Sequence, residues 1–314
     1  MSPSPYMDPE LAAALALLKE VDPYDLEAHR EYQHSMWDAQ DHSHPENIEV
    51  GYLDDRFPAS DAPPVRLRSY WNLDAPANAP ILIWLHGGGF ALGFCEIDDD
   101  LCTWISSHVG CHVVAPEYRL APEDPFPAGF DDAYSTLEWV SNHAVDLLVD
   151  ATRIAVGGAS AGGGLAASVC QRARDEAGPL IAFQLLVYPV TDDRMETQSM
   201  KIFTDTPIFD RPNAELMWER YLGDRRINVP KYAAPARAET LAGLPRTYVL
   251  TAEIDPLRDE GLHYARRLIK EGVETELHHF AGAIHGFDTL ASSALISQRA
   301  WQDYAAALRG ALLR

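Results

Sequence analysis

Short apolar runs recur along most of this chain, and between them lie longer stretches in which apolar positions return every three or four residues. The runs predict strands at Ile81–Leu85, His112–Ala115, Arg153–Val156, Phe183–Tyr188, Thr247–Thr251 and Glu276–Phe280. The longer stretches predict helices near 98–109, 131–144, 161–177, 258–272 and 292–312. The strands are apolar on both faces, so each is covered from both sides. Strand alternating with helix in this way predicts an α/β fold, a doubly wound and mostly parallel sheet.

Two segments break that rhythm. From Met1 to about His44 the chain reads as helical: Leu11, Ala14, Leu17 and Leu18 share one face, and Asp22-Pro23 opens a second segment through about His34. Turns are expected at Asp61–Pro64 and Asp74–Pro80, on either side of an alternating strand from Val65 to Trp71. Segment 195–230 follows a strand end, carries Met200, Phe203, Phe209, Met217 and Trp218, and is too long for a simple connection. Such an excursion reads as a lid or cap over a site. The expected division is therefore 1–44 as N-terminal cap helices, 45–194 as the first part of the core, 195–230 as a cap insertion and 231–314 as the second part of the core.

The chain has 314 residues and is 47% hydrophobic, enough to bury a full core. Its net charge of −22 repels phosphate backbones and anionic lipid, so nucleic acid is an unexpected partner and so is an anionic membrane. Solubility or salt tolerance accounts for the acidity without any bearing on chemistry. Cys95, Cys102, Cys111 and Cys170 contain no CxxC pair, and reduced thiols in a cytoplasmic chain are the expectation. The N-terminus has no basic region, and Leu11–Leu18 is too short to span a bilayer, so neither a signal peptide nor membrane insertion is expected.

Four short motifs can carry chemistry, and each follows a predicted strand. Gly158-Ala-Ser160-Ala-Gly162 lies between a strand and a helix. A sharp turn there exposes the apex side chain at a helix N-terminus, where developing negative charge is favoured. A phosphate loop is the alternative, but no Lys-Ser/Thr follows the glycines, and a dinucleotide fingerprint fits poorly. His86-Gly87-Gly88-Gly89-Phe90 leaves backbone N–H groups unshielded and able to hold an oxyanion; a flexible turn is its plain reading. Asp255-Pro256 and His285-Gly286-Phe287 complete the set. Either alone is unremarkable. Together they place Ser160, Asp255 and His285 in the chain order of the α/β-hydrolases.

The chain resembles the hormone-sensitive-lipase-like (family IV) bacterial esterases and lipases of the α/β-hydrolase superfamily. The residues that say so are HGGGF at 86–90, YRLAPE at 118–123, FPAGFDDAY at 126–134, GASAGG at 158–163, EIDPLRDEG at 253–261 and IHGF at 284–287. The likeness runs from about residue 45 to the C-terminus. It implies an α/β-hydrolase fold with a helical cap, Ser160 as nucleophile, His285 as base, Asp255 as acid, and the N–H groups of Gly88, Gly89 and Ala161 as oxyanion donors. It implies hydrolysis of small short-chain acyl esters through an acyl-enzyme, with no cofactor and no metal, and a homodimer through the strand near Glu276–Phe280. Where the family most often has Asp before the nucleophile, this chain has Ala159, which accepts no side-chain hydrogen bond.

Other features have structural readings. Arg119 and Glu123 are expected to pair within the fold rather than touch substrate, Asp98–Asp100 to cap a helix, and His42-Ser-His44 to lie in a solvated loop rather than on a metal. The aromatics Phe203, Phe209 and Trp218 either line an acyl pocket or pack within the cap. Glu253 is an alternative acid that fits the motif less well than Asp255. The rivals are a hydrolase of the same fold acting on amide, formamide or acetylated substrates, and a non-catalytic small-molecule binding protein. The presence of His285 weighs against the second.

Overall fold

Every residue of the strand Ala79–Leu85 is buried, and its side chains alternate between two separate cores. The structure, a computed structural model, describes residues 7–19, 21–53 and 65–313; the turn expected at Asp61–Pro64 lies outside them. In chain order the elements are α1 (Pro9–Leu15), α2 (Leu26–Asp38), β1 (Ile48–Leu53), β2 (Leu67–Asn72), β3 (Ala79–Leu85), α3 (Asp99–Ile105), β4 (His112–Pro116), α4 (Ala128–Asn142), β5 (Val149–Ala159), α5 (Ala161–Asp175) and β6 (Phe183–Val187). They continue with α6 (Gln198–Ile202), α7 (Arg211–Leu222), β7 (Arg246–Ile254), α8 (Arg258–Lys270), β8 (Thr275–Ile284), α9 (Phe287–Leu290) and α10 (Leu295–Leu312).

The strands form one sheet in the order β1-β2-β4-β3-β5-β6-β7-β8. β1 and β2 run antiparallel, and every pairing from β4 to β8 is parallel. On β3, Ile81, Ile83 and Leu85 belong to the layer that also holds Phe130 and Leu137 of α4, Leu165 and Val169 of α5 and Leu268 of α8. Leu82 and Trp84 belong to the opposite layer, with Leu101 and Ile105 of α3, Leu11 of α1, and Trp301, Tyr304 and Leu308 of α10. The period-2 alternation of a strand thus feeds two apolar layers, which is why these strands read as unbroken apolar runs. Each Leu or Ile removed from water contributes about 1.5–3 kcal/mol.

The parallel register brings the ends of β3, β5, β7 and β8 to one edge of the sheet. At β7–β8 the pairing slips: Ala252 faces Phe280 but Ile254 faces Ile284. Two extra residues of β8 are taken up around Gly282, at φ +75. Glu253 Oε2 accepts the Gly282 N–H at 2.7 Å, and Gly282 O accepts the Asp8 N–H at 3.0 Å. The slip leaves the residues after Ile254 and Ile284, namely Asp255 and His285, side by side.

Several expectations need correction. α2 starts at Leu26 with Asp25 as its cap, because Asp22 instead holds the Tyr24 N–H in a turn of its own at 3.0 Å. The helix expected at 98–109 is α3 followed by one π turn, Ser106–Gly110. Strand β1 was not predicted; it is half exposed and interrupted by Gly51, so its apolar pattern is weak. The pairing within the fold expected of Arg119 and Glu123 is present: Arg119 pairs with Asp132 of α4 through two bonds (2.9 and 2.8 Å), and Glu123 with Arg30 of α2. A fork-to-carboxylate geometry explains the choice of partner.

Asp98 occupies the N-cap position of α3, but its side chain makes no capping bond. It accepts the Trp84 indole N–H at 2.8 Å. Asp99, one residue on, pairs with Arg68 (Nη2–Oδ2 2.7 Å) and accepts the Tyr70 hydroxyl; both ionic side chains are nearly buried. Arg68→Met therefore strands a buried carboxylate and is expected to cost about 3–5 kcal/mol, read as a lower urea midpoint at unchanged m-value.

Burial pushes the Asp98 carboxyl up to about 6; the Trp84 bond opposes this, while Asp288 and Asp99 add repulsion. A carboxyl that titrates higher in the folded than in the unfolded chain stabilises the fold when protonated, and that stability is lost as pH rises through its folded value. Asp98→Asn keeps an acceptor for Trp84 without the charge. It is expected to be more stable than the parent by about 2–3 kcal/mol near pH 8, and to converge with it below the ordinary carboxylate value of 3.8, in urea melts across this range.

Candidate active site

Only Ser160 separates β5 from α5. Its backbone is at φ 56, ψ −118, a region that costs an L residue about 1–3 kcal/mol. Three bonds hold it there. Its N–H donates to Val187 O at 2.9 Å, and its carbonyl accepts the N–H groups of Gly164 and Val190, both at 3.0 Å. α5 then starts against the end of β3. A Cβ on Gly162 would lie 1.9 Å from Leu85 O and 2.4 Å from His86 O, so glycine is the one residue that fits. Ala159, before the apex, is buried and contributes to the wall of the cavity above.

His285 Nε2 lies 2.8 Å from Ser160 Oγ, and His285 Nδ1 lies 2.7 Å from Asp255 Oδ2. Asp255 is fully buried, and its other oxygen accepts the Leu257 N–H at 2.8 Å. With the carboxylate on Nδ1, the imidazole proton sits on that side and Nε2 is left as an acceptor for the serine hydroxyl. The rings of Tyr188 and Phe209 flank the imidazole, with centroids at 4.7 and 4.9 Å. Tyr188 in turn donates its hydroxyl to Asp288 at 2.6 Å, and burial raises both of these groups above their ordinary values. The sequence-predicted Ser160, Asp255 and His285 thus meet in one place. Glu253 does not join them, because its carboxylate is turned to Gly282.

The glycine loop after β3 lies over the same point. Gly88 stands at φ +115, where a Cβ would meet Leu92 O at 2.2 Å, and its carbonyl is tied back by the N–H groups of Ala91 (3.1 Å) and Leu92 (2.8 Å). Among the described residues, the N–H groups of Gly88, Gly89 and Ala161 donate to no protein acceptor. His86 frames the loop rather than facing the cavity. Its ring stacks on Tyr118 at 4.2 Å, its Nδ1 meets Gly87 O at 2.6 Å, and its carbonyl accepts the Tyr118 hydroxyl at 2.8 Å. Burial lowers its pKa and keeps it neutral.

A cavity of about 420 Å³ opens above Ser160 and His285. Its walls come from α2, from α7 with the segment before it, and from the glycine loop; Met36, Trp37, Ile208, Phe209, Leu216 and Met217 make it largely apolar. Of the three aromatics proposed for it from sequence, Phe209 lines it. Trp218 is buried against Phe90 and Tyr221, and Phe203 lies under the Arg258 guanidinium; neither reaches the cavity. Met217, carried by the same segment, lines it too, whereas Tyr188 and Asp98 were missed. Tyr188 follows a strand end, the same signal that found Asp255 and His285, whereas nothing local marks Asp98.

Among the described residues, one group has metal-ligand spacing: Cys95, Glu96 and Glu117. Arg66 sits on both carboxylates, at 3.0 and 3.3 Å, and burial pushes the Cys95 thiol far up, so the charge a cation would supply is already present and the thiolate is not. His42, in its exposed loop, stacks on Trp37 at 4.0 Å.

Comparison with known proteins identifies the family. Residues 82–289 match the family described as alpha/beta hydrolase fold. The esterase LipI of Mycobacterium tuberculosis is 41% identical over 229 residues, 72% of each chain. The carboxylesterase NlhH of the same organism is 38% identical over 252 residues, 79% of each chain. A solved bacterial heroin esterase superposes with a TM-score of 0.94 at 44% identity, covering 98% of both chains. The chain belongs to the alpha/beta hydrolase fold family, among its hormone-sensitive-lipase-like esterases, and is an enzyme of the serine carboxylesterase type.

Proposed function

We propose that this protein hydrolyses short-chain acyl esters through an acyl-enzyme on Ser160, with His285 as general base and acid and Asp255 as its orienting carboxylate. The observation that carries the reading is the unbroken line from Asp255 through His285 to Ser160, at 2.7 and 2.8 Å, at the floor of an apolar cavity. His285 Nε2 takes the hydroxyl proton as Ser160 Oγ attacks the ester carbonyl. The carbonyl electron pair moves onto oxygen, where the N–H groups of Gly88, Gly89 and Ala161 receive it. Collapse expels the alcohol, protonated by the imidazolium. Water then repeats the sequence and releases the acid.

A cavity of about 420 Å³ is at the small end of ligand sites, which span about 300–1,000 Å³, and this supports a short acyl chain. So does the similarity to a protein named as a heroin esterase. In this reading α2 and α7 act as the cap that limits chain length and shields the acyl-enzyme from bulk water.

The test is hydrolysis of p-nitrophenyl butyrate. Ser160→Ala is expected to lose several orders of magnitude in kcat, and Asp255→Asn about 10⁴-fold, because the imidazole loses its tautomer control. Activity surviving in Ser160→Ala would place the nucleophile elsewhere. Faster turnover of long-chain triglycerides than of butyrate esters would remove the chain-length reading, leaving the triad untouched.

A further inference from the structure

Helix α2 has no fully buried residue, so little core packing holds it in place. Three side chains on one face, Arg30, Gln33 and His34, at the spacing that brings helical neighbours together, attach it instead, with an edge contact of Trp37 on Phe94 beside them. All three reach the chain that follows the oxyanion glycines. Arg30 Nε donates to Ala91 O at 3.0 Å and Nη2 to Ala121 O at 3.2 Å, and the same guanidinium grips Glu123 at 2.8 and 2.9 Å. Gln33 Oε1 accepts the Gly93 N–H at 3.0 Å. The His34 ring stacks on Phe94 at 4.2 Å and 17°.

The loop is held from its other side as well. Phe90 O accepts the Ala121 N–H at 2.8 Å, and Gly93 abuts the His86 ring so closely that a Cβ there would lie 2.3 Å from Nδ1. The carbonyls of Gly88, Phe90 and Ala91 are therefore all tied back. Gly88 and Gly89 line the cavity with their N–H groups unpaired among the described residues.

We propose that Arg30 and Gln33 are positioning residues for the oxyanion loop: the seating of α2 on the catalytic core sets the geometry of Gly88 and Gly89, so closing the cavity and completing the oxyanion site are one event. With α2 seated, the loop is clamped between Arg30, Gln33 and the 118–123 segment. With α2 lifted, the Ala91 carbonyl and the Gly93 N–H lose their partners and the loop is free to relax. The inference rests on the reading of Gly88 and Gly89 as oxyanion donors.

The experiment compares the parent with Arg30→Met, Gln33→Leu and Gln33→Glu, the last of which keeps an acceptor oxygen for Gly93. The readouts are kcat and KM for p-nitrophenyl butyrate, and Ki for a trifluoromethyl ketone and for the matching methyl ketone. Ser160 Oγ adds to the fluorinated carbonyl, its proton passes to His285, and the carbonyl pair becomes an oxyanion in the site.

A displaced oxyanion loop is expected to lower kcat about 10- to 100-fold in Arg30→Met and Gln33→Leu with KM little changed, and to raise Ki for the trifluoromethyl ketone by a similar factor. Gln33→Glu is expected to recover most of kcat. A rise in KM at constant kcat would make α2 a wall of the cavity and overturn the proposal, as would unchanged kcat and Ki in folded variants. Should Arg30→Met fail to fold, the contrast between Gln33→Leu and Gln33→Glu decides alone. If the oxyanion reading itself is at fault, the parent gains nothing from the trifluoromethyl ketone over the methyl ketone, a result separate from any effect of the variants.

Discussion

The strained backbone of Ser160 is the constraint from which the rest of the structure follows. At φ 56 and ψ −118 the chain reverses from strand to helix in one residue, and the serine stands free of its neighbours. A conformation costing about 1–3 kcal/mol persists only where the surroundings over-determine it. Here they do. The Ser160 N–H is fixed to β6 through Val187, α5 starts in contact with the end of β3, and Gly162 leaves no room for another residue. Two apolar layers packed on the faces of one sheet supply the rigidity, with β3 contributing alternate side chains to both.

Asp255 and His285 depend on a second constraint, the slipped register between β7 and β8. Without the two extra residues near Gly282, Ile254 would not face Ile284, and Asp255 and His285 would leave their strands out of step. Glu253 holds the slip through the Gly282 N–H, so the carboxylate that the motif offered as an alternative acid shapes the strand that carries the base. Two buried acids have cationic partners, Asp99 in Arg68 and Asp132 in Arg119. Among the described residues the Asp98 side chain has only the Trp84 indole, and burial accordingly shifts it toward the neutral form.

The parts above the sheet edge are attached in different ways. α7 inserts Trp218 and Tyr221 into the core beside Phe90, and Met217 packs over Gly89. α2 is joined by polar bonds and two ring contacts on Phe94, and these reach the chain just after the glycine loop and the 121–123 segment. Polar attachments release at lower cost than buried apolar ones. The least buried of these elements thus holds the chain that follows the glycine loop, while Ser160 and His285 rest at the ends of the packed sheet.

Much of this was legible in the sequence, for physical reasons. Unbroken apolar runs report burial on both faces, so the inner strands and the parallel sheet were readable from β3 onward, whereas the edge strand β8 is exposed over much of its first half. Small residues around a serine between strand and helix report a turn that only such residues can make, and the order Ser160, Asp255, His285 followed from strand ends. β1 was missed because one exposed face and Gly51 dilute its pattern. The partners of Arg119, Glu123, Asp98 and Asp99 were not readable, because side chains choose partners by distance across the fold. The sequence by itself determined the periodicity, the sheet, the strained turn and which residues can do chemistry, since these depend on each residue's own shape and its near neighbours. Only the tertiary structure decided that Phe209 rather than Trp218 meets the cavity, that Glu253 sets a register, and that Arg30 and Gln33 grip the glycine loop, since each depends on where chain segments far apart in sequence come to rest.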